Sequence, residues 1–186
     1  MSTRKIILFS VLGLLVIFGG YTAYVMGTTR NHSPADTATY ENGDFSMEVS
    51  YCRPYKKGRM IFGPESDGAL QPWGQYWRAG ANEATQFKLT HPVIFGGKEL
   101  AAGEYVMYAV PGENSWTIGL NNEIGRWGYF EVDHEKDVLS VESTPKNLSD
   151  VAEQLTISFQ QADSATVNLN LVWDQTEVAV PIQIAG

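Results

Sequence analysis

The stretch from Tyr51 to Thr85 concentrates side chains that can bind or transform a ligand. Five of the ten lysines and arginines that follow residue 30 lie within it, although this part of the chain carries 21 acidic residues. Tryptophan and tyrosine are interleaved with these cations. Arginine can form two parallel hydrogen bonds to a carboxylate or phosphate, and an aromatic ring can wall a pocket. The sequence therefore predicts a site for an anionic or sugar-like small ligand, built from Tyr51, Arg53, Lys57, Arg59, Trp77 and Arg78.

The same stretch contains a candidate catalytic group. Glu83 can act as a general acid or base, with Asn82 as an oxyanion donor and Arg78 as a charge stabiliser, which would make a hydrolase. A purely structural interpretation competes with it. Arg78 and Glu83 can pair at the start of a strand and Asn82 can cap a turn, while the other cations lie in a solvated loop and Trp77 fills the core.

Other chemistry has little support in the sequence. The three histidines are far apart and lack ligand-like spacing, and no Gly-x-Ser-x-Gly elbow or phosphate-cradling glycine loop is present. Cys52 is the only cysteine, which excludes an internal disulfide and favours an inert strand thiol. We expect no metal and no cofactor, and we favour a non-enzymatic protein.

Several motifs resemble one bacterial family. They are YCRPYKKGRMIFG, WGQYWRAGANEATQF, GGKELAAGEYVMYAVPG, and WTIGLN followed by WGYF. In order and spacing they are similar to the family catalogued as domain of unknown function 2911, from about Gly43 to the C-terminus. The most specific motif contains Trp77, Arg78 and the residues from Gly80 to Thr85. The resemblance implies an exported all-β domain and no established activity.

The N-terminus carries an apolar segment long enough to cross a bilayer. Ile6 to Met26 contains no charge, and as a helix these residues would extend about 32 Å. Arg4 and Lys5 precede it, which predicts a cytoplasmic stub at 1–5, a transmembrane anchor at 6–27 and the rest of the chain outside, periplasmic or at the cell surface. A cleaved signal peptide is the alternative.

The residues after this segment predict a tether and an acidic domain. Thr28 to Asn42 is small and polar and predicts a linker. Beyond residue 30 the chain has 10 basic and 21 acidic side chains, a net charge of −11. Such a domain should repel nucleic acid and stand off an anionic bilayer, with the linker as a spacer.

Residues 43–186 show the two-residue period of β-strands. Phe45, Met47, Val49 and Tyr51 alternate with polar residues, and three similar segments close the chain. Together with the hairpin signal Gly96-Gly97, they predict an all-β, antiparallel β-sandwich of about nine strands behind one transmembrane helix. Pro181 predicts an edge or bulged last strand.

These observations favour a membrane-tethered, extracytoplasmic binding or accessory domain of the cell envelope. The hydrolase that uses Glu83 is one alternative. A structural or protein-interaction module, with the strand that contains Pro181 as its partner surface, is the other.

Overall fold

The computed structural model describes residues 3–184 as one long helix followed by a β-sandwich. Helix α1 spans Thr3–His32. The strands are β1 Ala35–Asn42, β2 Phe45–Cys52, β3 Phe62–Gly63, β4 Gln71–Pro72, β5 Thr85–Leu89, β6 Val93–Phe95, β7 Lys98–Leu100, β8 Gly103–Val110, β9 Trp116–Asn121, β10 Asp137–Ser143, β11 Lys146–Gln161 and β12 Thr166–Ile184. Two short 3₁₀ turns lie at Glu65–Asp67 and His134–Lys136.

Ten of the strands form two antiparallel sheets. One has the order β1-β2-β5-β8-β9-β10 and the other β11-β12-β6-β7, while β3 and β4 form a short parallel pair. The all-β sandwich prediction is confirmed, but with twelve strands among the described residues rather than nine. Alternation in β2 works as predicted: Phe45, Met47, Val49 and Tyr51 are buried, and Glu48 is exposed.

Four aromatic rings pack between the two sheets. Trp77 and Trp173 stack with their ring centroids 5.9 Å apart, and Phe62 packs edge-on against Trp116 at 4.6 Å and Trp173 at 6.0 Å. Trp77 and Trp173 are almost fully buried. Trp77 is therefore a core residue, as the structural interpretation of the sequence predicts.

Helix α1 extends away from the sandwich. The described side chains between Phe9 and Phe18 are exposed, and its most apolar window buries no residue against the domain. The helix is long and apolar enough to cross a membrane, by length and composition. An apolar helix with no protein packed on it requires an apolar surrounding.

The structure replaces most of the predicted linker with ordered elements. Residues 28–32 continue α1, and residues 35–42 form β1, which pairs with the whole length of β2. Ala38 and Tyr40 pack on the core edge. The spacer prediction is therefore wrong over these residues: an edge strand needs few large apolar residues because one of its faces stays wet.

The C-terminal segments also differ from the prediction. The last two of the three predicted closing segments form the single strand β12, which continues through Asp174 because this residue adopts a left-handed conformation (φ 55°) and the pairing with β11 shifts there. β12 lies between β11 and β6, so it is not an edge strand. Pro181 is tolerated because it precedes the β12–β6 ladder, where its carbonyl accepts the Gly96 N–H at 2.8 Å.

The 122–133 loop packs on the outer face of the six-stranded sheet. Val132 of this loop is buried against Val106 and Tyr108 of β8. His134 anchors its end: Nδ1 lies 2.7 Å from Asp137 Oδ2, and Nε2 lies 3.1 Å from Glu131 Oε1. The Tyr108 hydroxyl donates to the same Asp137 carboxylate at 2.7 Å.

Raising the pH should weaken this anchor. Hydrogen bonds that His134 donates to the Asp137 and Glu131 carboxylates raise its pKa above the usual 6.5. The imidazolium therefore stabilises the fold below pH 6.5, and this contribution is lost as the pH rises through the raised pKa. We expect His134→Gln to lower the free energy of unfolding more at about pH 5.5 than at about pH 9, by roughly 0.2–1 kcal/mol, in urea titrations. Equal losses at both pH values would contradict the ion-pair role.

Candidate functional site

The connection between β4 and β5 is irregular and holds four of the predicted site residues, Trp77, Arg78, Asn82 and Glu83. Trp77 forms two backbone hydrogen bonds with Ala109 of β8, each 2.7 Å long. Its indole N–H donates to the Gly80 carbonyl at 3.1 Å, and the Thr85 hydroxyl donates to the Ala79 carbonyl at 3.1 Å. Most residues of this motif therefore fix the backbone, and only a few are left to contact a ligand.

Gly80 is required by space. A Cβ at this position would lie 2.8 Å from Thr85 Oγ1 and 3.3 Å from the Cys52 carbonyl oxygen. Thr85 is fully buried and hydrogen-bonded, so it has little freedom to move away. The turn also includes Asn82 in a left-handed conformation (φ 59°), which asparagine tolerates better than most residues.

Arg78 is a partly buried cation without a carboxylate partner. Its guanidinium donates to the Asn82 carbonyl at 3.2 Å, and no described acidic side chain lies within ion-pair distance. Burial is the main cause that lowers the pKa of Arg78, although a guanidinium remains charged in proteins. Gly128 packs against it so closely that a Cβ there would lie 2.6 Å from Arg78 Cδ.

Arg78 lines a cavity of about 440 Å³ at the junction of α1 and the sandwich. Lys57 and Arg59 also line it, as does His32, the last residue of α1. No acidic residue is among the residues that line it. The cavity therefore presents positive charge on several sides.

Trp173, which lines this cavity, has a buried indole N–H without a hydrogen-bond partner among the described residues. The residue is 1% exposed. Among the described residues, the Tyr76 hydroxyl is the other buried side-chain group without a hydrogen-bond partner, and Tyr76 does not line the cavity. An unpaired buried donor costs about 1–3 kcal/mol, so it is rare in a folded protein.

The charge environment of this cavity differs from that of other cations in the domain. Arg53, Lys56, Lys88, Arg126 and Lys136 each form an ion pair with an aspartate or glutamate. The three cations in the cavity form none with any described residue. Lys57 Nζ lies 3.2 Å from His32 Nδ1, and Arg59 donates to the carbonyls of Lys56 and Tyr55 at 2.9 and 2.5 Å.

Glu83 lies in a separate cleft of about 300 Å³. Its Oε1 pairs with Arg30 of α1 at 2.5 Å, and its Oε2 accepts from the Cys52 thiol at 3.3 Å. Tyr51 and Asp36 also line this cleft, but Arg78 does not. The predicted Arg78–Glu83 pairing is therefore replaced by the Arg30–Glu83 ion pair.

The protonation states in this cleft favour an ionised glutamate and a neutral thiol. Burial opposes ionisation of Glu83, but hydrogen bonds from its own backbone N–H and from Cys52, together with the charge of Arg30, lower its pKa. Burial raises the pKa of Cys52. A neutral thiol is a poor nucleophile and an ionised carboxylate is a poor proton donor.

Arg53 and Tyr51 connect the two sheets. The Arg53 guanidinium donates to the Leu155 carbonyl at 2.9 Å, to Thr156 Oγ1 at 2.8 Å and to Asp36 Oδ2 at 3.0 Å. The Tyr51 hydroxyl accepts the Ile157 N–H at 2.8 Å. These contacts give both side chains a structural role.

The structure thus divides the predicted set. It places Arg78, Lys57 and Arg59 at one cavity, Glu83 and Tyr51 at another, Arg53 between the sheets and Trp77 in the core. Asn82 donates to the Ser33 carbonyl at 3.3 Å, beside the end of α1. Among residues 3–184, no cluster of three or more histidine, cysteine, aspartate or glutamate side chains is arranged to hold a metal ion.

Sequence reasoning missed three residues of these sites. The sequence places Arg30 and His32 in the polar linker and Trp173 in one of the strands that close the chain. Their roles depend on the docking of the end of α1 and on the bend of β12. Of the three, only Trp173 could be recognised from the sequence, because it is an aromatic residue at the end of a segment of alternating apolar residues.

One protein family matches most of the chain. The family described as a protein of unknown function (DUF2911) matches residues 33–182. The chain belongs to the DUF2911 family. The match begins at the end of α1 and includes β1, so the DUF2911 domain starts earlier than the boundary at residue 43 that the sequence motifs predict. Comparisons with curated proteins and with solved structures gave no match.

The close packing of Gly80 in the DUF2911 domain can be tested by adding a single methyl group. We expect Gly80→Ala to destabilise the domain by about 1–3 kcal/mol in urea unfolding, because the Cβ would overlap Thr85 Oγ1. Gly63→Ala is the matched control, since its Cβ would meet the movable end of the Met60 side chain at 3.0 Å. A loss for Gly80→Ala no larger than that for Gly63→Ala would contradict the assignment.

Proposed function

We propose that this protein is a membrane-tethered, extracytoplasmic domain of the cell envelope that binds an oxyanion-bearing ligand in the cavity of Lys57, Arg59 and Arg78. The ligand class is a phosphate, a carboxylate or a sugar that carries one of them. The supporting observation is that three cations, none of which forms an ion pair with a described acidic side chain, line one cavity.

The electrostatics of the whole chain make this cavity selective for small anions. The net charge beyond residue 30 is −11, so a large polyanion would be repelled by the surrounding surface. Arg78 is half-buried, so its charge is less screened by water than a charge on an open surface. A compact anion therefore gains more from this site than an extended one.

The tether supports a location at the outer face of a membrane. Helix α1 is exposed along its apolar length, and Arg4 and Lys5 precede its uncharged part. Positive residues are retained on the cytoplasmic side, so the DUF2911 domain would lie on the opposite side. The contacts of Arg30 and His32 with the domain favour a helix that stays attached, rather than a signal peptide removed from the mature protein.

Thermal unfolding of the full chain in detergent tests the cavity. Inorganic phosphate, a sugar phosphate and a polycarboxylate are compared with chloride at equal ionic strength. A ligand at about 100 times its Kd stabilises the bound fold by about 2.7 kcal/mol, which corresponds to a shift of the midpoint by roughly 5–10 °C. We expect at least one of these anions to produce such a shift.

The variants decide where such a ligand binds. Arg78→Gln and Arg59→Gln should each abolish most of the shift, and Arg59→Gln alters an exposed side chain whose hydrogen bonds go only to the nearby Tyr55 and Lys56 carbonyls. Lys88→Gln, which removes a cation that pairs with Glu104 on the sheet surface, should leave the shift unchanged. No shift with any of the anions, or an equal shift in Arg78→Gln and wild type, would overturn the proposal.

A hydrolase centred on Glu83 has less support in the geometry. Arg30 occupies one carboxylate oxygen, Arg78 lies at the other cavity, and the lowered pKa keeps the group ionised. This function predicts hydrolytic activity, in a broad substrate panel, that Glu83→Gln abolishes and Glu48→Gln, on the exposed face of β2, does not. Activity that is absent, or that survives Glu83→Gln, would count against it. A protein-interaction role would need a surface other than the Pro181 strand, which lies inside its sheet.

A further inference from the structure

The exposed apolar residues of the sandwich are concentrated near the end of α1. Eight large apolar residues beyond α1 are exposed among those described, and four of them lie in the 122–133 loop: Ile124, Trp127, Tyr129 and Phe130. Two more, Met60 and Leu70, lie on backbone segments that hydrogen-bond to each other, and Leu70 lines the cavity beside His32. A clustered apolar patch on an acidic domain indicates an interaction surface.

Backbone contacts place the 122–133 loop beside the point where α1 joins the domain. Trp127 forms an isolated antiparallel bridge with Glu83, and Glu83 pairs with Arg30 of α1. Gly128 packs against Arg78, which lines the cavity next to His32. The loop and the last turn of the helix are therefore neighbours on one face of the molecule.

Helix geometry sets the depth of this face relative to a membrane. The apolar segment ends at Met26, and α1 continues without interruption to His32. At 1.5 Å per residue, Arg30 lies about 6 Å and His32 about 9 Å beyond Met26 along the helix. The headgroup layer adds about 5–8 Å to each side of the hydrocarbon core. Arg30 and its partner Glu83 thus lie at the level of the lipid headgroups.

The amino-acid composition of the 122–133 loop suits the level of the lipid headgroups. Trp127 is 51% exposed, Tyr129 70% and Phe130 69%, and tryptophan and tyrosine are enriched where a protein crosses from lipid to water. The loop is also held rigidly. Arg126 donates to the carbonyls of Phe130 and Glu131 at 2.8 Å and to Glu123 at 2.6 Å, so the charges near the aromatic rings are paired.

We propose that the 122–133 loop is a second membrane contact, which rests in the headgroup layer of the same leaflet from which α1 emerges. The proposal rests on the membrane tether of the proposed function and does not depend on the anion-binding cavity. The bilayer is the occupant because the patch adjoins the end of the apolar helix and carries no unpaired charge that would require anionic lipid. A zwitterionic phosphatidylcholine bilayer is therefore sufficient.

Depth-dependent fluorescence quenching of the full chain in phosphatidylcholine nanodiscs, with one chain per disc, tests this contact. An environment-sensitive fluorophore is attached at Tyr129→Cys in a Cys52→Ser background. We expect lipids that carry a quencher near the headgroup to quench it strongly, and aqueous iodide to quench it weakly. Glu41→Cys, at an exposed position near the end of β1 that lies away from α1, is the control and should show the reverse pattern.

The outcomes separate the loop contact from the tether. A Tyr129→Cys probe that behaves like the Glu41→Cys probe, in a chain that remains in the disc, overturns the loop contact alone. A chain that does not remain with the disc overturns the tether and this proposal together. Because each disc holds one chain, shielding by a second copy cannot imitate the expected result. Phe130→Cys gives a second reading if the Tyr129 variant folds poorly.

Discussion

The stacking of Trp77 on Trp173 is the contact that joins the fold to the site. Each ring removes about 150–250 Å² from water, which stabilises the sandwich by roughly 4–6 kcal/mol per ring at about 25 cal/mol per Å². Trp77 belongs to the six-stranded side through its bridge to Ala109, and Trp173 belongs to the long hairpin of β11 and β12. With this pair in place, Arg78 follows directly in the chain and reaches the cavity that Trp173 also lines.

Two residues that line the cavity, Arg78 and Trp173, have polar groups whose hydrogen-bonding capacity folding alone does not satisfy. A buried N–H without a partner and a partly buried guanidinium without a carboxylate each destabilise a protein. In the same domain, Arg53 shows the satisfied alternative, with three acceptors from two elements. An oxyanion in the cavity would give the Arg78 guanidinium the charged partner that the fold does not supply. The proposed function thus explains a cost that the packing leaves in place.

The sequence predicts those parts of the molecule in which local pattern and tertiary packing agree. Phe45 to Tyr51 alternate as expected because one face of β2 packs on the core and the other does not. β1 escapes prediction because a polar edge strand with Ala38 and Tyr40 half-buried has the composition of a linker. The bend at Asp174 escapes it because one residue with φ 55° allows a strand to continue where the sequence indicates a turn.

The distinction between local sequence pattern and tertiary packing holds for the site as well. Lys57, Arg59 and Arg78 could be predicted because cations stand out against an acidic composition. Which of them share a cavity could not, since that depends on where the end of α1 docks. Arg30 is the clearest case: the sequence places it in a polar linker, whereas the structure pairs it with Glu83. A partner contributed by a distant element leaves no trace in local spacing.

The short connection between α1 and β1 has a mechanical consequence. Only Ser33 and Pro34 separate the helix from the first strand, and the Pro34 carbonyl accepts the Arg53 N–H at 2.8 Å. Because this connection is so short, the helix and the sandwich would change orientation together. A bilayer that thickens or thins changes the tilt of a spanning helix, and this chain would convert that tilt into a rotation of the whole domain against the lipid surface.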